Sequence, residues 1–211
     1  MSKIDTSTYD LIKSERKEPK FNMQKGLYGY AKRYKNRKLF FTLFLFGLIL
    51  SDVMFSIIAF QTRKTWFVII ACVLAIPFAR NLIDYFMAFK ANPLRQEDYE
   101  ETVEITNHYD KALYYDISIT EEAGVVFVPC LCVYNNNIIA YTPDVKLAKE
   151  REKIKKYIDM VNSAEEDRNY RIFVTEKIST FDKEISKLKN RSDETAEKDE
   201  ETLGKLLSMG F

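Results

Sequence analysis

Residues 39–60 read LFFTLFLFGLILSDVMFSIIAF, and this stretch decides the fold of the chain. Asp52 is its only ionisable side chain. At about 1.5 Å of rise per residue the stretch reaches roughly 33 Å as a helix, which is enough to cross a hydrocarbon core of about 30 Å. The sequence therefore predicts a transmembrane helix over residues 39–60.

A second apolar run follows a short polar turn at residues 61–65. Residues 66–79 read WFVIIACVLAIPFA, which alone is too short to span, but the apolar pattern continues past Arg80 and Asp84. The long Arg80 side chain can extend its charged group to the membrane interface at the C-terminal end of this helix. We predict a second transmembrane helix over residues 66–86, so that residues 39–90 form a hairpin. A re-entrant or interfacial segment is the alternative.

Basic residues set the expected orientation of this hairpin. They crowd the entry to the first helix, whereas the turn holds only Arg63 and Lys64. The positive-inside rule then places the N-terminus in the cytoplasm, and two crossings return the C-terminus to the same side of a plasma membrane. The residues expected to contact anionic lipid at this surface are Lys32, Arg33, Lys35, Arg37 and Lys38.

The formal net charge of +1 conceals three unequal parts of the chain. Residues 1–38 form a basic juxtamembrane arm of +7, residues 39–91 carry +2, and residues 92–211 carry −8. Such an arm is typical of the flank of a transmembrane helix, and nucleic acid is a less favoured partner for it. The lipid bilayer is the partner that the charge pattern favours.

Three ionisable side chains inside the hairpin form a predicted polar seam, namely Asp52, Arg80 and Asp84. An acid inside a bilayer is costly, so Asp52 is expected to pair, with Arg80, Lys64 or Asn81 as candidates. Arg80 and Asp84 are four residues apart and share a helix face. The seam suits either a homo-oligomer formed through the hairpin or an ion pathway, and the residues favour neither over the other.

Residues 96–190 predict a small cytosolic α/β domain, so the chain belongs to the mixed α+β or α/β class. The predicted order is αβββαβα, with Pro129 suggesting that the second strand lies at an edge or contains a bulge. Residues 135–137 are three asparagines, which suit a turn. Asp144 is a candidate helix N-cap. Residues 191–211 are expected to form an acidic, mostly disordered tail.

Few residues in this domain carry recognisable chemistry. The chain lacks the common phosphate-loop, dinucleotide, serine-hydrolase and zinc-protease motifs, and it has one histidine. Cys130 and Cys132 lie two apart on one predicted strand, and zinc would need two further ligands. We therefore expect reduced, buried cysteines, and predict no catalytic residues, no metal site and no cofactor.

The element order αβββαβ over residues 96–175 resembles the core of the restriction-endonuclease-like (PD-(D/E)xK) nucleases. That resemblance implies an acid at the second strand and an acid-x-lysine pair on the third, which hold magnesium. Here the third strand and its exit read IIAYTPD, without the lysine, and only Glu121 and Glu122 are placed to supply the first acid. The implied site is therefore degenerate.

The whole layout also resembles bacterial proteins in which a membrane hairpin precedes a small cytosolic α/β domain, a resemblance that implies no particular activity. We expect a membrane-anchored binding or regulatory domain with a cytosolic protein or small ligand as partner, and not an enzyme. The alternatives are a membrane-tethered, nuclease-like enzyme acting on nucleic acid or a phosphate ester, and a transporter accessory subunit that uses Asp52.

Overall fold

The computed structural model describes residues 25–60, 66–121, 124–143, 148–163, 170–189, 192–208 and 210. They divide into two compact units. The hairpin unit covers residues 31–91, and the sheet domain joins residues 25–30 to the described part of residues 92–211. The turn at 61–65, Asp144, Glu122 and most of the basic arm lie outside the described residues, so the statements about them stay predictions.

The hairpin unit is built from two long helices, α1 (Tyr30–Phe60) and α2 (Trp66–Phe89). Both are long and apolar enough to cross a membrane, judged by length and composition. Helix α1 begins before residue 39 because lysine, arginine and alanine favour helix and the basic flank simply continues it. Pro77 lies inside α2, where the Asn81 amide donates a hydrogen bond to the Pro77 carbonyl at 2.9 Å.

The sheet domain contains both helices and strands, which confirms the predicted mixed class. Its strands are rich in β-branched and aromatic residues, whereas its helices carry the charged, Ala- and Glu-containing segments. The elements in chain order are α3 (Gln96–Tyr109), β1 (Tyr114–Glu121), β2 (Gly124–Tyr134), β3 (Asn137–Tyr141), α4 (Ala148–Ser163), β4 (Arg171–Thr175), α5 (Ile178–Ser186) and α6 (Asp193–Ser208).

The four strands form one sheet in the order β1-β2-β3-β4. The first three are antiparallel, and β4 runs parallel to β3, so α4 serves as the crossover between them. Helices cover both faces. Ile158 of α4 and Leu206 of α6 belong to the apolar cluster on one face, and Ile105 of α3 and Phe181 of α5 belong to the cluster on the other.

Along β1 and β2 the side chains alternate between the two faces of the sheet, and this alternation shifts by one residue where Asp116 lies opposite Pro129. The register is the same on both sides of this point, so no residue is inserted. Pro129 has no N–H to donate to the ladder, and Asp116 takes a φ of 53°. Val128 and Cys130 therefore pack on opposite faces although they are two residues apart. Strand β2 is internal, so the predicted edge position was wrong and a local distortion accommodates the proline.

Helix α6 replaces the disorder predicted for residues 191–211. Ser192 precedes it, and its Oγ accepts the Thr195 N–H at 3.3 Å, while acidic residues occupy the first turn and Lys205 the last. Leu203 and Leu206 are buried against the sheet. The prediction failed because the first ten residues of the helix show no apolar periodicity, and one leucine-rich turn provides the packing.

Residues 25–30, predicted as part of the basic arm, belong to the sheet domain. Tyr115 donates its N–H to the Gly26 carbonyl at 2.8 Å, so this segment adds a bridge along β1. The Lys25 amine donates to the Leu207 and Gly210 carbonyls at 3.1 and 2.6 Å. The segment before α1 is therefore fastened both to β1 and to the C-terminal end of α6.

Candidate functional site

An ion pair joins the two helices of the hairpin unit. Lys38 Nζ lies 2.6 Å from Asp84 Oδ2 and 3.3 Å from Asn81 Oδ1, and the charged side chains are only 20% and 25% exposed. Tyr34 hydrogen-bonds Asp84 as well, and its ring lies 5.3 Å from Lys38 Nζ. We call Tyr34, Lys38, Asn81 and Asp84 the hairpin-base cluster. It compensates the charge of Asp84 within the chain.

The structure pairs Asp84 with Lys38 and not with Arg80. Lys38, one of the residues predicted to contact the lipid surface, forms its ion pair with Asp84 of the second helix. No hydrogen bond or ion pair within the described residues joins Arg80 to either acid of the predicted seam. Contacts among the described residues of one chain thus do not bring Asp52, Arg80 and Asp84 together, and the seam stays a prediction.

The helix register explains why Asp52 and Arg80 stay apart. Lys38 meets Asp84, and the Phe46 and Phe78 rings lie 5.9 Å apart, so Asp52 is level with about residues 70–72. Arg80 is then about 13 Å away along the helix axis at 1.5 Å per residue. Asp52 Oδ2 is buried and has no hydrogen-bond partner among the described residues.

The other predicted lipid-contact residues lie in the first turns of α1. Lys32 and Arg37 are exposed, and Arg33 and Lys35 are half-buried. Lys35 Nζ lies 5.6 Å from the centre of the Phe89 ring, and the Arg37 guanidinium lies 5.8 Å from that of Phe41. Cationic groups held over aromatic rings at a helix end are typical of an interface between apolar and aqueous surroundings.

The sheet domain contains a cleft of about 230 Å³ where the β2–β3 turn, the start of β4 and the end of α5 meet. Ile139, Phe173 and Leu188 form its apolar floor. Polar and charged side chains surround that floor. They are Asn135, Asn137, Arg171, Glu184, Lys187 and Lys189. We call this feature the β3–β4 cleft, since Ile139 lies on β3 and Phe173 on β4.

Glu184 organises the charges of the β3–β4 cleft. Its Oε1 lies 2.5 Å from Lys187 Nζ and its Oε2 lies 3.4 Å from Arg171 Nη2. The Glu184 side chain is 12% exposed, whereas those of Arg171 and Lys187 are more than 60% exposed. With Lys189 the cleft holds three cations against one carboxylate. This excess is opposite in sign to the −8 of residues 92–211.

The asparagine turn forms one wall of the cleft. Asn135 and Asn136 have φ angles of 50° and 57°, as a two-residue turn between antiparallel strands requires. Asp199 of α6 accepts their backbone N–H groups at 2.6 and 3.2 Å. The predicted asparagine turn is therefore confirmed, and a buried carboxylate from the other end of the domain holds it in place.

A second, wider groove of about 610 Å³ lies between α3 and α5. Glu101, Glu104 and Asp182 line it together with His108, and no lysine is among the described residues that line it. No group of three His, Cys, Asp or Glu side chains among the described residues is placed to hold a metal ion. The arrangement of acids and lysine implied by the nuclease resemblance is thus not found in this groove.

The two domain cysteines are buried thiols that form no disulfide bond. Burial raises the pKa of the Cys130 thiol well above its ordinary value of 9.0, and nearby Cys132 and Asp116 raise it further. A thiol kept protonated in this way is a poor nucleophile and a poor metal ligand. Within the described residues Cys130 and Cys132 pack against Ile139 and Tyr141 as small apolar side chains.

Comparison with known protein families, with curated proteins and with solved structures finds no match to this chain. Its function is therefore inferred from its own residues. The sequence did not indicate the β3–β4 cleft, because its residues come from three segments whose spacing follows no local pattern. The asparagine turn was the one local signal at that place.

Proposed function

We propose that this protein is a membrane-anchored binding protein. The hairpin unit spans the plasma membrane, both termini lie in the cytoplasm, and the sheet domain binds a cytosolic ligand or partner at the membrane face. One observation carries the proposal. The apolar windows of α1 and α2 are only 11% and 6% buried within the protein, and an exposed apolar surface of this extent requires a partner such as lipid.

The distribution of charge supports the orientation. At the start of α1, Lys35 and Arg37 form cation–π contacts with aromatic rings, as is typical of a membrane interface. The sheet domain is acidic, which suits an aqueous environment. Inside the bilayer, Asp52 is the side chain with which a second copy of the chain would pair, because the register places apolar residues opposite it. A binding role fits a domain that has a cleft but no cluster of metal ligands among its described residues.

Cysteine labelling tests the topology. The native thiols Cys130 and Cys132 are unsuitable, because they are 0% and 1% exposed. In a Cys72→Ala background, we expect a membrane-impermeant maleimide to label Thr62→Cys in intact cells, and to label Ser192→Cys only after permeabilisation. Ser192 is exposed in the folded domain, so burial does not limit its labelling.

Two outcomes would contradict the proposal. Labelling of Ser192→Cys in intact cells would place the sheet domain outside, and release of the full chain from membranes by alkaline carbonate would exclude a spanning hairpin. The unmodified Cys72→Ala chain is the matched control for background labelling, since its remaining cysteines are buried.

A further inference from the structure

We propose that the β3–β4 cleft binds a phosphate monoester group, carried either by a soluble metabolite or by an anionic lipid headgroup. The inference rests on the proposed binding function and names the ligand class for it. Three cations that converge on one small cleft, Arg171, Lys187 and Lys189, carry the proposal. They come from the start of β4 and from the end of α5, so only the fold brings them together.

The local charge favours an anion against the trend of the domain. Residues 92–211 hold 25 acidic and 17 basic residues, yet among the described residues that line the cleft one charged side chain is acidic and three are basic. A ligand anion adds counter-charge that Glu184 alone does not supply. Arginine offers paired donors that match phosphate oxygens, and the lysines add point charges that can approach from other sides.

Glu184 prepares the site instead of filling it. It lies low in the cleft, 12% exposed, and touches Arg171 and Lys187, whose more exposed side chains extend past it. A buried carboxylate that orients two cations reduces the side-chain freedom lost when a ligand binds. A phosphate monoester has three terminal oxygens, so it can present a separate oxygen to each of Arg171, Lys187 and Lys189, whereas a carboxylate has two oxygens and a smaller charge.

The size and floor of the cleft limit the rest of the ligand. Its volume of about 230 Å³ is below the roughly 300–1,000 Å³ of pockets that enclose drug-sized ligands. A dinucleotide is therefore too large, while a phosphate with a short organic group fits. Phe173, Ile139 and Leu188 offer that group an apolar surface. Glycerol 3-phosphate is a phosphate monoester small enough for this volume, and phosphatidic acid carries the same phosphate monoester at a lipid surface.

Calorimetry on the full chain in a maltoside detergent tests the site with two probes, inorganic phosphate and glycerol 3-phosphate. We expect saturable binding that Arg171→Gln or Lys187→Gln each weakens about tenfold, through loss of one charge-assisted contact. Lys153→Gln and Lys156→Gln are matched controls, because both remove one exposed positive charge from α4 and should leave the affinity unchanged. An unchanged thermal midpoint in each variant shows that it is folded.

Nanodiscs distinguish the two sources of the phosphate. If phosphatidic acid in phosphatidylcholine discs weakens glycerol 3-phosphate binding, the cleft takes the lipid headgroup. If it has no effect, the ligand is soluble, and the proposal stands in both cases. No saturable binding by the wild type, or equal losses in the α4 controls, would overturn it. The calorimetry and the cysteine labelling test separate claims. If the cleft binds no phosphate, the proposed membrane anchor is unaffected, and if the labelling contradicts the proposed topology, the proposed phosphate site is unaffected.

Discussion

Asp199 shows how one buried side chain ties distant parts of the sheet domain together. Only 2% exposed, it accepts the N–H groups of Asn135 and Asn136 at the β2–β3 turn, and Tyr170 lies 3.4 Å from its Oδ1. Thr202, one turn further along α6, donates to the same tyrosine hydroxyl at 2.9 Å. Backbone donors in such a turn have no ladder partner, so a fixed carboxylate is an effective way to satisfy them.

We expect Asp199→Ala to lower the free energy of unfolding by about 1 kcal/mol, because two backbone N–H groups of a half-buried turn lose their charged acceptor. Asp199→Asn retains one acceptor oxygen and should lose less. Chemical denaturation of the full chain in detergent, followed by circular dichroism, measures both. Glu200→Ala changes the exposed neighbour on the same helix and is the control. Equal effects of Asp199→Ala and Glu200→Ala would show that the turn does not depend on the carboxylate.

Helix α6 and the hairpin show which interactions form and position a secondary-structure element. In α6, local charge pairs such as Glu194 with Lys198 at 2.7 Å support the first turns, and two leucines fix the helix on the sheet. In the hairpin, long apolar runs form the helices, and the Lys38–Asp84 pair fixes how one helix aligns with the other. The partner of Asp84 therefore depends on the register between the two helices and not on spacing along one helix.

The Lys38–Asp84 ion pair leads to a prediction for the removal and for the exchange of these two charges. Lys38→Leu leaves Asp84 without its cation in a largely apolar place, and we expect a loss of about 1–3 kcal/mol and a lower thermal midpoint in detergent. Asp84→Leu should have a similar effect. The double change Lys38→Asp with Asp84→Lys should restore most of the midpoint, because the pair is rebuilt in reverse.

Arg80→Leu is the control for the hairpin, since Arg80 is exposed and makes no ion pair within the described residues. If it lowers the midpoint as much as Lys38→Leu does, the register inferred from the Lys38–Asp84 contact is wrong. A double swap that recovers nothing would equally contradict that contact.

At the scale of the whole molecule, buried titratable groups make stability depend on alkaline pH. Burial is the main cause that raises the pKa values of Cys130, Tyr115 and Tyr141 above their ordinary values of 9.0, 10.0 and 10.0. These groups stay neutral in the folded chain but ionise in the unfolded chain once the pH exceeds those ordinary values. The contribution of these groups to the free energy of unfolding is therefore fully present below about pH 9, and it is lost as the pH rises toward their raised pKa values in the folded chain.

We expect the thermal midpoint of the full chain to be nearly constant from pH 7 to about 8.5 and to fall above pH 9. Above its ordinary pKa, each group lowers the free energy of unfolding by up to about 1.4 kcal/mol per pH unit. Cys130→Ala should reduce the loss between pH 9 and 10. Cys72→Ala is the matched control, because Cys72 is exposed and should leave the profile unchanged. Identical profiles for the two variants would contradict the assignment.

The sequence by itself determined the two apolar helices, the strand segments and the asparagine turn. Each depends on the length of an apolar run, on alternation or on turn residues, which are properties of neighbours in the chain. Tertiary structure alone decided the partner of Asp84, the position of Pro129 inside the sheet, the order in α6 and the β3–β4 cleft. Each of these depends on contacts between residues far apart in the chain, and only packing and register bring them together.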